Sequence, residues 1–244
     1  MTAPAKDIVL ITGANKGLGF EAALQLGRLG HRVLVGARDE ALGGAAVERL
    51  SKEGVDATFV AIDVTKNESV EAAAASVAAS FGHIDVLINN AGTLNYSLND
   101  PTKLDVDLAR KEFEVNFFGV ITVTNAFLPL LRKAALPRIV NVSSILASHT
   151  THADPTSTIY GMLVTPYNAS KAALNMYTQN LAHALKDTNF KVNVAHPGWV
   201  KTDMGGAQAP LEIPEGAETS VYLATLGADG PTGGFFFKKE RVPW

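Results

Sequence analysis

Tyr167 and Lys171 stand four residues apart in the run Tyr-Asn-Ala-Ser-Lys, where the pattern predicts a helix from about Tyr167 to Lys186. At that spacing both side chains leave the same helix face, one turn apart. A phenol with its ordinary pKa near 10 is a poor acid–base catalyst at neutral pH. A fixed ammonium nearby favours the phenolate and lowers that value, which makes Tyr167 a credible proton donor to a carbonyl oxygen. Taken alone, such a pair is more often an accident of an amphipathic surface. Its weight depends on what else the chain carries.

The second candidate is an anion site at the start of the chain, in Lys6–Gly19. Ile8–Thr12 reads as a strand buried on both faces. Gly13, Gly17 and Gly19 follow, and Leu18, Ala22, Leu26 and Leu29 then share one face of a helix. Strand, glycine turn and helix together aim unpaired backbone N–H groups and a positive helix end at an anion, and glycines let a diphosphate come close. The spacing is G-x-x-x-G-x-G rather than the common G-x-G-x-x-G. A tight turn without a ligand is the plain alternative.

The elements that must position these groups alternate along the whole chain. After the first strand and helix come strands at His31–Gly36, Thr58–Ile62, Ile84–Ile88, Arg138–Val142, Lys191–Ala195 and Gly234–Phe237. Between them run helices marked by Leu42, Ala46 and Leu50, by Val70, Ala74, Val77 and Phe81, by Phe113 to Leu131, from Tyr167, and over Pro214–Leu226 with a proline in its first turn. Crossover connections then make a doubly wound, mostly parallel, seven-stranded Rossmann-type sheet with helices on both faces, in one domain over 1–244. Ligands of such sheets sit beyond the carboxyl ends of the strands, where every unusual motif here falls. Segments 145–166 and 201–213 lack periodicity and read as long loops, of a length that is usually functional or disordered.

Composition narrows the classes. The chain has no cysteine, which removes disulfides, thiolate metal sites and thiol nucleophiles. Its net charge of −3, with no basic stripe, argues against nucleic acid as a main partner. The N-terminal run shows no signal core and no apolar run approaches membrane-spanning length, so the default setting is the cytoplasm. His149 and His152 lack a third ligand at metal spacing and read as surface histidines, so no metal is expected. The Phe235–Phe237 run reads as a core strand, and Trp199 as either core packing or a wall of a substrate pocket.

Over essentially its whole length the chain resembles the short-chain dehydrogenase/reductase family. TGANKGLG, NNAG, the Asn116 of EVNFFG, NVSS, YNASK and HPGWVKTDM occur in the family's order. The resemblance implies a catalytic set of Asn116, Ser144, Tyr167 and Lys171. Ser144 would hydrogen-bond the substrate carbonyl, Tyr167 would protonate it, and Lys171 would hold the nicotinamide ribose while lowering the tyrosine pKa. Asn116 would mark a helix irregularity that holds a water in the relay to Lys171. The implied cofactor cradle takes in Gly13, Asn15, Lys16, Gly17, Leu18 and Gly19. It continues through Arg38, through Asp63 and Val64 at the adenine, and through Asn90, Ala91 and Gly92. Pro197, Gly198, Val200 and Thr202 would face the nicotinamide carboxamide, and Ser144 and Trp199 the substrate. Residue by residue the plainer readings remain a strand-end turn for Ser144, a structural hydrogen bond for Asn116, a helix cap for Asp63 and a βα turn for Asn90.

Cofactor preference follows from charge. An enzyme for the non-phosphorylated cofactor needs a carboxylate at the end of the second strand. This chain has Ala37 and then Arg38 there, with Lys16 facing the same region. A guanidinium grips a 2′-phosphate that a carboxylate would repel, which points to NADP(H), with Asp39 expected to cap a helix instead. PGWVKTDMGG, PEGAETSVYLA and the C-terminal GPTGGFFFKKERVPW further resemble the carbonyl reductase subgroup. The implied activity is NADPH-dependent reduction of a ketone or aldehyde. The alternatives are an alcohol oxidation in the reverse direction or an NADP(H) sensor without turnover. Members of that subgroup lengthen the segment before the catalytic tyrosine, as 145–166 does here. The expected outcome is that it folds over the helix face and the protein stays a monomer; if it arches over the substrate site instead, a homodimer remains open.

Overall fold

The first strand, β1 (Ile8–Thr12), is buried along its whole length, as its β-branched and aliphatic residues require at the centre of a sheet. In the computed structural model, which describes residues 6–97 and 99–244, it pairs in parallel with β2 (Arg32–Ala37) on one side and β4 (Val86–Asn89) on the other. The reading of the first residues as free of a signal core concerns 1–5 and lies outside the described residues. Beyond β2 lies β3 (Ala57–Ala61); beyond β4 lie β5 (Arg138–Val142), β6 (Lys191–His196), β7 (Phe235–Phe237) and β8 (Glu240–Arg241), giving the order β3-β2-β1-β4-β5-β6-β7-β8. Strand order reverses between β1 and β4, which opens a crevice at their carboxyl ends.

The sheet has eight strands where the sequence predicts seven. Strand β8 is two exposed charged residues long and carries no periodicity to read. It turns back antiparallel on β7 through Lys238, the one non-glycine residue with positive φ (54°) among the described residues. The other strand boundaries move by a residue or two, and β1 and β5 fall where the pattern places them.

Alternation along β1 sorts the two helical layers. Val9 and Ile11 face a core completed by α1 (Gly17–Arg28), α2 (Glu40–Lys52) and α8 (Ile213–Ala224), through Leu26, Leu50 and Leu223. Ile8 and Leu10 face the other core, where α3 (Asn67–Phe81), α5 (Gly119–Leu131) and α7 (Thr165–Ala184) contribute Val77, Phe127 and Ala182.

The helix α4 (Val106–Phe113) runs into α5 through a π-helical turn at Glu114–Phe118. The continuous run Val106–Leu131 is long and apolar enough to cross a bilayer by length and composition, which corrects the expectation that none would be. Val123, Phe127 and Leu131 of that run are fully buried against the sheet, as in the core helix of a globular domain.

The segment 145–166, expected as a loop, holds a 3₁₀ turn at Ile145–Ala147 and a short helix α6 (His149–Ala153) capped by Ser148. Ile159 and Val164 are buried, whereas Tyr160, Met162 and Leu163 are exposed. Its side-chain hydrogen bonds to α7 are made at Asn168, in the first turn of that helix, with Met162 and His152.

Candidate active site

The glycine turn closes β1 against β4. Thr12 Oγ1 accepts the backbone N–H of both Asn90 and Ala91 at 3.0 Å, and Asn90 Nδ2 donates back to the carbonyl of Thr12 at 2.8 Å. Gly19 permits this fold-back, because a Cβ there would come within 2.5 Å of Asn90 Nδ2 and 2.6 Å of the Gly13 carbonyl oxygen. Helix α1 then starts at Gly17 with Lys16 in the cap position, and no side chain caps it. Its first N–H groups remain free to receive an anion.

A cavity of about 690 Å³ opens at this crevice, within the range of sites that bury a small-molecule ligand. Gly13, Asn15, Lys16, Gly17, Leu18 and Gly19 line one part of it, with Arg38, Asp63 and Val64 beside them. Asn90, Ala91, Gly92, Tyr167, Lys171, Pro197 and Thr202 complete the predicted set on its wall. Asn116, Ser144, Gly198, Trp199 and Val200 stand outside the wall. Val200 is buried, and its methyl groups fill the space a Cβ on Gly216 of α8 would need. Trp199 is not core packing: half its surface is exposed, and its indole N–H donates to the carbonyl of Gly205 at 2.8 Å within its own loop.

Two charges differ from expectation. Asp39 caps α2 as predicted, its carboxylate accepting from Leu42 N at 2.9 Å. Lys16, however, donates to Asp203 at 2.6 Å across the mouth of the cavity, so an acid does face that lysine. Sequence reasoning missed Asp203 because it arrives on the loop after β6. Asp63 is not the cap of α3; that position belongs to Lys66. Burial acts to raise the Asp63 carboxyl, but hydrogen bonds from Thr65 and the cations Lys66 and Arg38 outweigh it and hold it below the ordinary carboxylate range.

At the reacting end, α7 presents Tyr167 and Lys171 one turn apart, both almost fully buried. Lys171 Nζ donates to the carbonyl of Val142, the last residue of β5, at 2.8 Å. Burial pushes the lysine down to about 8. Burial also pushes the Tyr167 hydroxyl up to about 12, opposed by a hydrogen bond with Ser144 and assisted by the nearby Tyr96 and Glu112. The lowering of the tyrosine expected from Lys171 does not outweigh burial: loss of water around both groups dominates, and one of the three ammonium N–H groups donates to a backbone carbonyl.

Asn116 lies in the π turn, and its amide is fully committed. Oδ1 accepts from Thr93 N at 2.8 Å, while Nδ2 donates to the Thr93 carbonyl at 2.8 Å and to Ser170 Oγ at 3.1 Å. Gly92 lies between it and Lys171, where a Cβ would sit 3.4 Å from Asn116 Oδ1 and 3.5 Å from Lys171 Nζ. A π turn frees a backbone carbonyl from its usual partner, so the helix irregularity expected at Asn116 is present.

His196 was not singled out in the sequence beyond its place in HPGWV. Burial pushes it down to about 4, which keeps it neutral. Its Nδ1 accepts from Ile145 N at 3.2 Å and Gly198 N at 3.3 Å, joining the residue after Ser144 to the loop after β6. Among the described residues no cluster of three or more His, Cys, Asp or Glu side chains could hold a metal ion.

The short chain dehydrogenase family model matches residues 7–212. The chain belongs to the short-chain dehydrogenase family. Among members of that family it is 41% identical over 234 residues to the short-chain dehydrogenase anuI of Penicillium roqueforti, spanning 93% of this chain and 92% of that protein. It is 32% identical to carbonyl reductase [NADPH] 1 of Mus musculus, over 98% and 99% of the two chains. The structure of NADPH-bound carbonyl reductase from chicken fatty liver superposes with a TM-score of 0.85 at 29% identity, covering 98% of this chain and 99% of that one. The short-chain dehydrogenase fold therefore extends across the whole described chain.

Proposed function

We propose that this short-chain dehydrogenase is an NADPH-dependent carbonyl reductase acting on a ketone or aldehyde. The observation that carries the reading is the meeting, in one cavity, of the Tyr167 hydroxyl with an uncapped helix N-terminus and Arg38. A diphosphate fits the free N–H groups of α1, and a 2′-phosphate fits Arg38, which has no carboxylate at the end of β2 to oppose it. The likeness to the mouse and chicken carbonyl reductases supports the same cofactor and reaction.

When bound, NADPH supplies hydride to the carbonyl carbon. The chain handles the oxygen. Ser144, close enough to Tyr167 to act on its hydroxyl, offers its own hydroxyl to the carbonyl oxygen and fixes its position. Tyr167 holds its proton firmly at neutral pH and gives it to the developing alkoxide, a far stronger base than a phenolate. Lys171, fixed by Val142, holds the ribose hydroxyls, and its charge steadies the phenolate that remains. The carbonyl freed in the π turn at Asn116 supports a water that returns a proton toward Lys171.

Following nicotinamide absorbance while NADPH meets a panel of activated ketones and aldehydes tests the reading. Turnover supports it; tight NADPH binding with no turnover of any carbonyl would leave a sensor in its place. The setting in this reading is cytoplasmic. The monomer expected from the long segment required that segment to cover the helix face. Its side-chain hydrogen bonds to α7 fall in the first turn of that helix, and Phe118 and Met176 stay exposed, which supports a homodimer instead. Light scattering behind size exclusion separates the chain's 25.8 kDa from twice that mass.

A further inference from the structure

Glu112 is a charged residue type in a place that ordinarily excludes one. It is 3% exposed, on the last turn of α4, four residues before Asn116 and so on the same side of the helical run. The reading of the active site gives it no role. One carboxyl oxygen accepts the backbone N–H of Asn95; the other is buried with no partner among the described residues. Burial pushes the carboxyl up toward its neutral form.

Its single contact falls on a short span of chain with a particular task. Asn116 holds Thr93 through both its N–H and its carbonyl, and Glu112 holds Asn95 two residues on. Asn95 in turn accepts the N–H and hydroxyl of Ser97, which folds 95–97 into a tight turn. Tyr96 projects from that turn, and its hydroxyl donates to the carbonyl of Met204 at 2.8 Å. Thr93 and Met204 both line the cavity that holds Tyr167. Both Tyr96 and Glu112 lie near enough to act electrostatically on Tyr167. The turn after β4 and the loop after β6 are thus joined by the Tyr96–Met204 hydrogen bond, and the residue before Tyr96 is held by a buried acid.

We propose that Glu112 is a positioning residue for the carbonyl substrate, holding Asn95 so that Tyr96 closes onto Met204 and the two loops form one wall beside Tyr167. The inference rests on the carbonyl reductase reading for its substrate, while the link between Glu112 and the loops stands on the contacts alone. A neutral acceptor suffices for this task, so the amide of Glu112→Gln should replace the acid.

Four proteins test it: Glu112→Ala, Glu112→Gln, Tyr96→Phe and the double variant Glu112→Ala/Tyr96→Phe, each as the full chain with 4-nitrobenzaldehyde as probe. Losing one hydrogen bond of this kind should raise KM about three- to tenfold in Glu112→Ala and in Tyr96→Phe. In both, kcat and the NADPH dissociation constant should stay within about threefold of wild type. The double variant should be no worse than the worse single one, because residues acting through one contact do not add. Glu112→Gln should restore KM. Independent, multiplying effects, a Glu112→Gln as damaged as Glu112→Ala, or a loss of thermal stability with KM unchanged would each overturn the proposal. Amide hydrogen exchange on the NADPH complex judges the link without turnover: Glu112→Ala should lose protection at both 93–97 and 201–206, and loss at neither or at 93–97 alone overturns it. Absence of turnover in the wild type would instead overturn the carbonyl reductase reading, with the exchange result still deciding the role of Glu112.

Discussion

The ammonium nitrogen of Lys171 sits 5.9 Å from the centre of the Tyr167 ring and donates to the Val142 carbonyl, not to the phenol. Lysine and tyrosine are therefore neighbours that do different work, and their variants should separate. Tyr167→Phe removes the proton donor and keeps the ring, so kcat should fall by about a hundredfold or more with NADPH affinity near wild type. Lys171→Met should weaken NADPH binding as well as turnover. Steady-state kinetics with a fluorescence titration of NADPH check both, and a Tyr167→Phe protein keeping more than about a tenth of kcat would contradict the assignment.

Cofactor choice rests on Arg38 more than on Lys16, because Asp203 already occupies the lysine. Arg38→Asp should raise the KM for NADPH by about tenfold or more and leave that for NADH much less affected. Asp203→Asn should change the preference far less. Equal use of both cofactors by the wild type would remove the basis for this prediction.

His196 gives the fold a pH dependence with a definite sign. Its folded value near 4 lies below the ordinary 6.5, so the unfolded chain takes up a proton first as pH falls. Stability from this group is level above about pH 6.5 and declines between there and pH 4. The decline should reach about 2 kcal/mol between pH 7 and pH 5. Urea denaturation at the two pH values measures it, and His196→Gln, which keeps an acceptor but does not titrate, should show a smaller difference.

Gly19→Ala tests the close approach at the crevice. Its methyl group would have to displace Asn90 or the Gly13 carbonyl, so both NADPH affinity and stability should fall, the latter by about 1–3 kcal/mol. Gly44→Ala, at a half-buried position of α2 with nothing near the added carbon, should be neutral or mildly stabilising in the same melt.

What the sequence made legible were features whose cause is local. Ile8–Thr12 shows its strand by composition, Asp39 shows its cap by type, and Tyr167 and Lys171 share a face because a helix has a fixed pitch. What it hid were meetings between distant segments. Asp203 reaches Lys16 across 187 positions and Tyr96 reaches Met204 across 108, and neither contact leaves a period or motif. Glu112 was visible four residues before Asn116 but gave no sign of being buried. The raised Tyr167 hydroxyl was misjudged for a related reason: a spacing shows which charge is near, but not how little water remains.

The two-residue strand β8 forms one edge of this sheet. An open sheet edge is a template for further strands, and two flat edges would let copies of the chain join into ribbons. Here the β7 side ends in Lys238, Lys239, Glu240 and Arg241, a short charged hem turned back by an unusual backbone angle. Four residues that take no part in the chemistry thus give this edge the short length and charge that discourage pairing with another strand.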